Sequence, residues 1–598
     1  MIARVAPDVA GIAKTFDYVV PPELADQVRV GTLVRVPLGG RRIGGWVVEL
    51  AGEATPDALQ SGRPLQPLAK VTGWGPPADL VDLAGWAAWR WAGRRTAFLK
   101  TASPPGAVRA LPPRPRPAPA PTAPTTPTTT AGAFHRPLTV VRTPPADDLL
   151  PFVLEAATRE DALVLAPSLS AAGLLAARLR RRGIPVAEVP REWALAAAGG
   201  CVAVGARAGA WAPRPRLGAV VVLDEGDEVY QEERAPTWNA RDVAVERARR
   251  AGVPCVLTSS HPSLAALALP GAEVLVPSRT EERAGWPVVE VVDRRQEPPG
   301  SGLYSSRLVA VLRDAGPDHR MICVLNRKGR SRLLACAACG ELARCEVCEG
   351  PVADAAGGEA GDGTLGCRRC GATRPTVCTA CGATRMKALR VGVTRAREEL
   401  ELLVGRPVGE VTAGADDRAG VRVPDASVLV GTEAVLHRVA GAHAVAFLDF
   451  DQELLAPRHT AGEQALALLV RAARLVGGRD PTPNGRGRIL LQTRLPDHEV
   501  IDAAVHADPS RFSLVESARR AALRLPPETA LAVVSGEAAP TFVEGLGAVA
   551  AAHGVEVLGP SDGRWLVRAP DHAALSDALA AAPRPPGRLR VEVDPRRV

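Results

Sequence analysis

Four Cys-x-x-Cys pairs, Cys336/Cys339, Cys345/Cys348, Cys367/Cys370 and Cys378/Cys381, crowd into one stretch and constrain this 598-residue chain more than any other feature. A Cys-x-x-Cys pair on a tight turn offers two thiolates with converging sulfurs, and zinc takes four in a tetrahedron. Eight thiols therefore make two complete sites. Residues 349 to 366 separate the inner pairs, an interval within the ~15 to 20 residues found in zinc ribbons. That spacing assigns Cys345, Cys348, Cys367 and Cys370 to one ion, and Cys336, Cys339, Cys378 and Cys381 to the other. The Gly- and acid-rich run Asp354 to Gly363 suits a ribbon tip. Disulfides and iron–sulfur ligation are the competing readings; a reducing compartment disfavours the first and regular spacing the second. Four-thiolate sites are closed to water, so they stabilise and do not catalyse.

The length implies several domains, because a single core stops growing beyond about 250 to 300 residues. With 73 Lys+Arg against 65 Asp+Glu the net charge is +8, and nearly all the cations are arginine. Arginine suits bidentate phosphate recognition. A GC-rich genome produces the same bias in any protein, so charge alone is a weak pointer to nucleic acid. No run reaches the ~18 apolar residues of a membrane span, and Met1 to Phe16 lacks the pattern of a signal peptide. The expectation is a cytoplasmic protein with no membrane partner. Cys201, Cys255 and Cys323 each sit in a strand-like apolar run and read as reduced core thiols.

Residues 1–102 open with short strand-like runs and end in a Trp/Leu/Ala helix. A Pro/Ala/Thr-rich linker at 103–136 has no apolar period and reads as extended and mobile. Strand-like runs then alternate with helical patterns, the mark of parallel α/β layers, in one lobe at 137–285 and a second at 286–335 and 383–510, with the cysteine module 336–382 inserted. Residues 511–598 follow a β-α-β-β-α-β order, which predicts a ferredoxin-like module. The fold class is multidomain α/β.

An apolar strand, Ala219 to Leu223, ends in Asp224-Glu225. Such a strand can hold Mg²⁺ and polarise a water, or simply end in an acidic surface turn. A working nucleotide site also needs a glycine loop with Lys and Ser/Thr. The lysines are Lys14, Lys70, Lys100, Lys328 and Lys387, and none follows a glycine.

At this point the chain resembles the primosomal protein N′ (PriA) family of replication-restart helicases. The matching runs are TFDYVVP (Thr15 to Pro21), VRVPLGGR (Val34 to Arg41), LDEGDEVYQEERAPTWNARDVA (Leu223 to Ala244), TSSHPSL (Thr258 to Leu264), VLNRKGRSRLLACAACG (Val324 to Gly340), the four cysteine pairs, VGVTRAREEL (Val391 to Leu400), VLVGTEAVL (Val428 to Leu436) and VEVDP. It resembles a divergent, actinobacterial-type member with degenerate helicase motifs. The resemblance implies a β-rich N-terminal domain that holds a DNA 3′ end, two RecA-like helicase lobes and a two-zinc module that contacts primosome proteins.

The departures matter as much. In place of the phosphate loop stands VVRTPPADDLL (Val140 to Leu150), and the late arginine motif aligns with VRAARLVGG (Val470 to Gly478). Loss of these parts predicts no ATP hydrolysis, leaving Asp224 and Glu225 as a degenerate remnant and ATP/Mg²⁺ without a complete site. By resemblance, Phe16, Asp17 and Gly39 line the 3′-end pocket, with Gln66 where the family has Lys. Arg327, Lys328, Arg330 and Arg332 could follow a phosphate backbone or form a solvated turn, and Tyr230 and Trp238 could stack on bases or be buried against the lobe. The implied function is replication restart in the cytoplasm, at the nucleoid: binding stalled or abandoned forks and single-stranded DNA, and engaging primosome proteins, single-strand-binding protein and the replicative helicase or its loader. The alternative is an active ATP-dependent 3′-5′ helicase with an unconventional nucleotide site.

Overall fold

The computed structural model describes residues 1–9, 11–55, 64–115, 130, 132–298, 302–316, 319–326, 334–354, 363–367, 370–388, 393–412, 423–479 and 487–596. They form two compact units. One comprises Met1–Val141, Asp148–Leu275 and Arg520–Pro595; the other comprises Arg142–Asp147, Val276–Arg519 and Arg596–Val598.

The first unit opens with β1 (Ile2–Pro7), β2 (Phe16–Val19), β3 (Leu33–Leu38), β4 (Arg41–Ala51) and β5 (Lys70–Gly73), an antiparallel sheet ordered β2-β1-β4-β3-β5. Side chains alternate across a strand. Ala3, Val5, Tyr18, Val34, Val36 and Val47 therefore build a small core on one face. Ala6, Trp46 and Val48 join a larger core on the other. Gly39 and Gly40, at φ +57° and +75°, close β3 onto β4 in a two-residue turn that needs positive φ at both positions.

The linker expectation is corrected in part. Residues 103–115 are docked: Trp46 Nε1 donates to Ser103 Oγ at 2.8 Å, Trp74 N donates to Val108 O at 2.8 Å, and Arg114 pairs with Glu160 and Asp161. Ala133 and Phe134 are core residues. Proline-rich backbone with few donors of its own is held here by donors from the elements it crosses. Residues 116–129 lie outside the described residues.

A seven-stranded sheet follows, ordered β12-β6-β11-β10-β7-β9-β8. Its strands are β6 (Leu138–Arg142), β7 (Leu163–Leu165), β8 (Val186–Val189), β9 (Val202–Gly205), β10 (Val220–Val222), β11 (Cys255–Ser259) and β12 (Glu273–Leu275), parallel at β12/β6, β11/β10, β10/β7, β7/β9 and β9/β8. Val140, Leu163, Leu165, Val220 and Val222 face one core, while Val141, Val164, Val204 and Val221 face another. Burial on both faces explains the unbroken Val/Leu runs.

In the second unit β13 (Val288–Asp293) and β14 (Met321–Val324) precede the cysteine module. That module holds β15 (Leu334–Cys336), β16 (Val352–Asp354), β17 (Thr364–Cys367), β18 (Thr373–Pro375) and β19 (Met386–Ala388). With β20 (Val408–Val411), β21 (Val428–Gly431), β22 (Ala444–Phe447) and β23 (Arg488–Thr493), strands β13 and β14 form a parallel sheet ordered β13-β23-β22-β14-β21-β20, again covered on both faces. Cys201, Cys255 and Cys323 are buried thiols, as expected. Burial pushes Cys255 and Cys323 up to about 12.

The chain then returns to the first unit with β24 (Ala530–Ser535), β25 (Glu556–Ser561), β26 (Arg564–Ala569) and β27 (Arg590–Val593), antiparallel in the order β25-β26-β24-β27, with helices Ala539–Ala550 and His572–Ala581 as the crossovers. Phe542, Leu575 and Val591 share one hydrophobic cluster with the helix Ala78–Arg90 and with β10. Arg90 Nη2 pairs with Asp594 at 2.8 Å. Among the described residues no helix is long and apolar enough to cross a membrane.

Candidate metal centres and nucleic-acid interface

All four Cys-x-x-Cys pairs fold by one rule. The amide of the first cysteine donates to the carbonyl five residues on (Glu341, Gly350, Ala372, Ala383) at 2.8 Å each time. The amide four residues on (Gly340, Glu349, Gly371, Gly382) donates back to the first cysteine's carbonyl at 2.9 to 3.0 Å. That residue is left-handed in every copy, with φ +78°, +55°, +75° and +74°. Three of the four are glycine, which adopts this region without a Cβ penalty; Glu349 does so against one.

The turns aim their sulfurs in two groups. Cys336, Cys339, Cys378 and Cys381 form one and Cys345, Cys348, Cys367 and Cys370 the other, each with all sulfurs within 4.8 Å of one another. The closest approaches are 3.5 Å for Cys336/Cys381 and 3.6 Å for Cys339/Cys378; in the other group Cys345/Cys370 and Cys348/Cys367 both stand at 3.5 Å. Sulfurs placed ~2.3 Å from a tetrahedral zinc stand about 3.8 Å apart, so both cages fit that ion, whereas a disulfide needs about 2 Å. Burial opposes ionisation of Cys336 and Cys345. The amides of Cys339 and Ala338 for the former, of Cys348 and Val347 for the latter, and the neighbouring thiols pull both down to about 7. Each group can hold a metal ion. β15, which ends in Cys336, pairs with β19, and β17, which ends in Cys367, pairs with β16 and β18.

In the N-terminal sheet, strand directions bring the start of β2, the end of β1 and the β3–β4 turn with Gly39 toward the same end. The Tyr18 hydroxyl donates to Pro37 O at 3.0 Å and holds that end together. Phe16 is half-buried with Lys14 Nζ 5.1 Å from its ring centroid. Asp17 is oriented differently: its carboxylate is almost fully covered, 3.5 Å from Arg4 Nε, and accepts from Thr55 N at 2.6 Å. Gln66 serves through its backbone, accepting from Val19 N.

At the end of β10, Asp224 is left-handed, at φ +52°. Glu225 is buried and gives its oxygens to Ser263 N (2.7 Å), Ser263 Oγ (2.9 Å) and Arg241 Nη1 (3.1 Å). Burial raises its pKa, and Arg241 and Ser263 offset part of that. Tyr230 and Trp238 are core residues, which corrects the stacking expectation. Tyr230 is fully buried with its hydroxyl donating to Leu223 O, and Trp238 packs edge-on against Trp211 at 5.9 Å. Buried aromatic rings contribute through packing and are not available to stack on a base. Arg327, Lys328, Arg330 and Arg332 lie outside the described residues.

Where the resemblance seats a phosphate loop, Arg142 Nε pairs with buried Glu282 at 2.8 Å, and Glu282 also accepts from Trp286 Nε1 at 3.0 Å. Pro144 packs so closely on Gly285 that a Cβ there would lie 2.2 Å from the proline ring. The Arg142–Glu282 pair was not legible beforehand, since its partners are 140 positions apart. The left-handed Glu349 was: three of the four pairs are followed by glycine and one by Glu.

Residues 4–104 match the 3′ DNA-binding domain (3′BD) of PriA. The chain is similar to the replication restart protein PriA of Treponema pallidum, 30% identical over 345 residues, 55% of this chain and 50% of that protein. The probable replication restart protein PriA of Mycobacterium tuberculosis is 29% identical over 367 residues, 58% of this chain and 54% of that protein. For the replication restart protein PriA of Bacillus subtilis the figures are 26% over 351 residues, 56% and 43%. The chain spans about half the length of the curated relatives it matches. Among solved structures, a DEAD box protein from Methanococcus jannaschii aligns with TM-score 0.28 and 9% identity over 67% of this chain and 89% of that one.

Proposed function

We propose, from the premise that the chain is a member of the PriA family of replication restart proteins, that it binds abandoned or stalled forks and promotes primosome assembly and reloading of the replicative helicase. The observation that carries this reading is the match of residues 4–104 to a 3′ DNA-binding domain, in a sheet that holds the half-buried Phe16 and the open Gly39–Gly40 turn. On this reading the ligands are forked and single-stranded DNA. The partners are primosome proteins, single-strand-binding protein and the replicative helicase or its loader. Zinc is the metal of both cysteine cages, because four thiolates suit a soft, tetrahedral ion.

The two parallel sheets serve as RecA-like scaffolds that do not turn over ATP. Supporting this are the missing phosphate-loop lysine, the Arg142–Glu282 pair and the capture of Glu225 by Ser263 and Arg241. The β-α-β-β-α-β order of residues 530–593, with sheet order β25-β26-β24-β27, supports a ferredoxin-like C-terminal domain.

Fork binding is tested with purified chain and two fork substrates that differ only in the 3′ end of the leading strand, hydroxyl or phosphate. The hydroxyl fork should bind more tightly; equal affinity sinks the 3′-end reading. ATP hydrolysis stimulated by fork DNA and abolished by Asp224→Asn would overturn the inactive scaffold in favour of a working helicase. Metal analysis should return two zinc ions per chain, and none after Cys345→Ser with Cys378→Ser.

A further inference from the structure

On β3 and β5, Arg35 and Lys70 are direct cross-strand partners, and Arg42 stands opposite Pro37, two residues further along the face that carries Arg35. All three are exposed. Like charges set directly opposite in a sheet are destabilising. No carboxylate relieves them: among the described residues none lies within ion-pair distance of Arg35, Arg42 or Lys70, although the Asp8 amide reaches Gly44 O at 2.8 Å. The same face at Gly44 is bare, and a Cβ there would come within 4.0 Å of Arg35 Nη1. Glycine at 44 thus leaves an open floor beside the guanidinium. The stripe runs along β4 to the Gly39–Gly40 turn at its start.

We propose that Arg35, Arg42 and Lys70 form a track for the phosphates of a nucleic-acid strand, leading across β3, β4 and β5 from the Gly39–Gly40 turn. This rests on the fork-binding reading and adds to it a second, sequence-independent contact surface. Phosphates at successive steps supply the anions the stripe lacks, and counterion release makes the contact salt-dependent. An acidic peptide or an anionic lipid surface could meet the same charge, but neither explains why the stripe runs to the Gly39–Gly40 turn.

The test is a salt titration of binding to the hydroxyl fork and to unbranched single-stranded DNA, with wild type, the triple variant Arg35→Ala, Arg42→Ala, Lys70→Ala, and the charge-retaining pair Arg35→Lys, Lys70→Arg. The triple variant should bind roughly 10- to 100-fold more weakly near 0.1 M salt, and its plot of log affinity against log salt should flatten by about two to three. The charge-retaining pair should keep the wild-type slope. Arg35→Gln alone should not lower the thermal midpoint, because it relieves repulsion. Unchanged affinity and slope in the triple variant overturn the track. So does an equal loss in the charge-retaining pair, or binding of polyglutamate or phosphatidylserine vesicles as tight as that of DNA. Loss of 3′-hydroxyl preference with the slope effect intact would instead count against the end-recognition reading alone.

Discussion

Arg494 donates from Nε to the carbonyl of Gly340 at 2.9 Å, joining the segment just after β23 to the left-handed residue of the first cysteine turn. The amide of the same arginine donates to both oxygens of Asp451, at 3.1 and 3.0 Å, and the Thr493 hydroxyl joins it there. One residue thus connects the Cys336 cage to the buried acids at the foot of the parallel sheet.

A hydrogen bond from a charged donor contributes about 1.5 to 3 kcal/mol when its partner is otherwise unsatisfied. Arg494→Ala should therefore loosen the Cys336/Cys339 turn and leave the inner cage unchanged. Zinc release to a colorimetric chelator should become biphasic, with one equivalent leaving several-fold faster than in wild type. A uniform acceleration of both equivalents would mean the contact holds the whole module and not one turn.

Asp451 supplies a pH test. Burial, and next the charge of Asp449, push its carboxyl up to about 7, against the hydrogen bonds from Thr493 and Arg494; Arg294 and Arg494 are the facing cations. A carboxyl raised in the folded state takes up a proton on folding. Its stabilisation is complete below the unfolded value near 4 and is lost as pH rises through about 7. Asp451→Asn removes that loss, so its stability relative to wild type should improve between pH 5 and pH 8, by at most about 3 kcal/mol. Urea unfolding at both pH values measures it; a difference independent of pH would show that Asp451 stays ionised.

Glu349 occupies the one left-handed cysteine turn without glycine, and it is exposed. The left-handed region costs a residue with a Cβ roughly 1 to 2 kcal/mol, part of which glycine gives back as unfolded-state entropy. Glu349→Gly should raise resistance of the inner cage to chelators by a few-fold, and Gly382→Glu should lower that of the outer cage. Glu349→Gln, which removes the charge but keeps the Cβ, should leave chelator resistance near that of wild type and so separates the backbone effect from a charge effect.

The cysteine module was legible because its information is local: spacing within each pair fixes the turn, and the interval between pairs fixes which sulfurs meet. Both parallel sheets were legible for a similar reason, since burial on two faces leaves runs such as Val220–Val222 with no polar alternation. Residues 103–115 were misread because a proline-rich segment with no apolar period can still be held by donors from elsewhere, here Trp46 and Trp74. Tyr230 and Trp238 show the converse. An aromatic has the same appearance in sequence whether it stacks on a ligand or fills a core, and only the distant Trp211 and the Leu223 carbonyl decide between the two. Asp17 was read as an acceptor for a ligand, but Arg4, its cross-strand partner, is recognisable only once the register is known.

Glu225 separates a remnant from a working part. Its oxygens hold Ser263, the cap of the short helix Leu264–Leu267, and Arg241, whose other carboxylate partner is Asp242. Breaking one side of a buried ion pair is expensive, about 3 to 5 kcal/mol, because the remaining charge stays desolvated. Glu225→Ala should therefore lower the thermal midpoint by several degrees and Glu225→Gln by less, because the amide keeps an acceptor for Ser263 N. Fork affinity at a temperature where both variants are folded should stay within about two-fold of wild type, as neither substitution touches the β3–β5 face. A variant with an unchanged midpoint but lost fork-stimulated ATP turnover would instead place Glu225 in catalysis, since a purely structural carboxylate cannot be removed from the core without a thermal penalty.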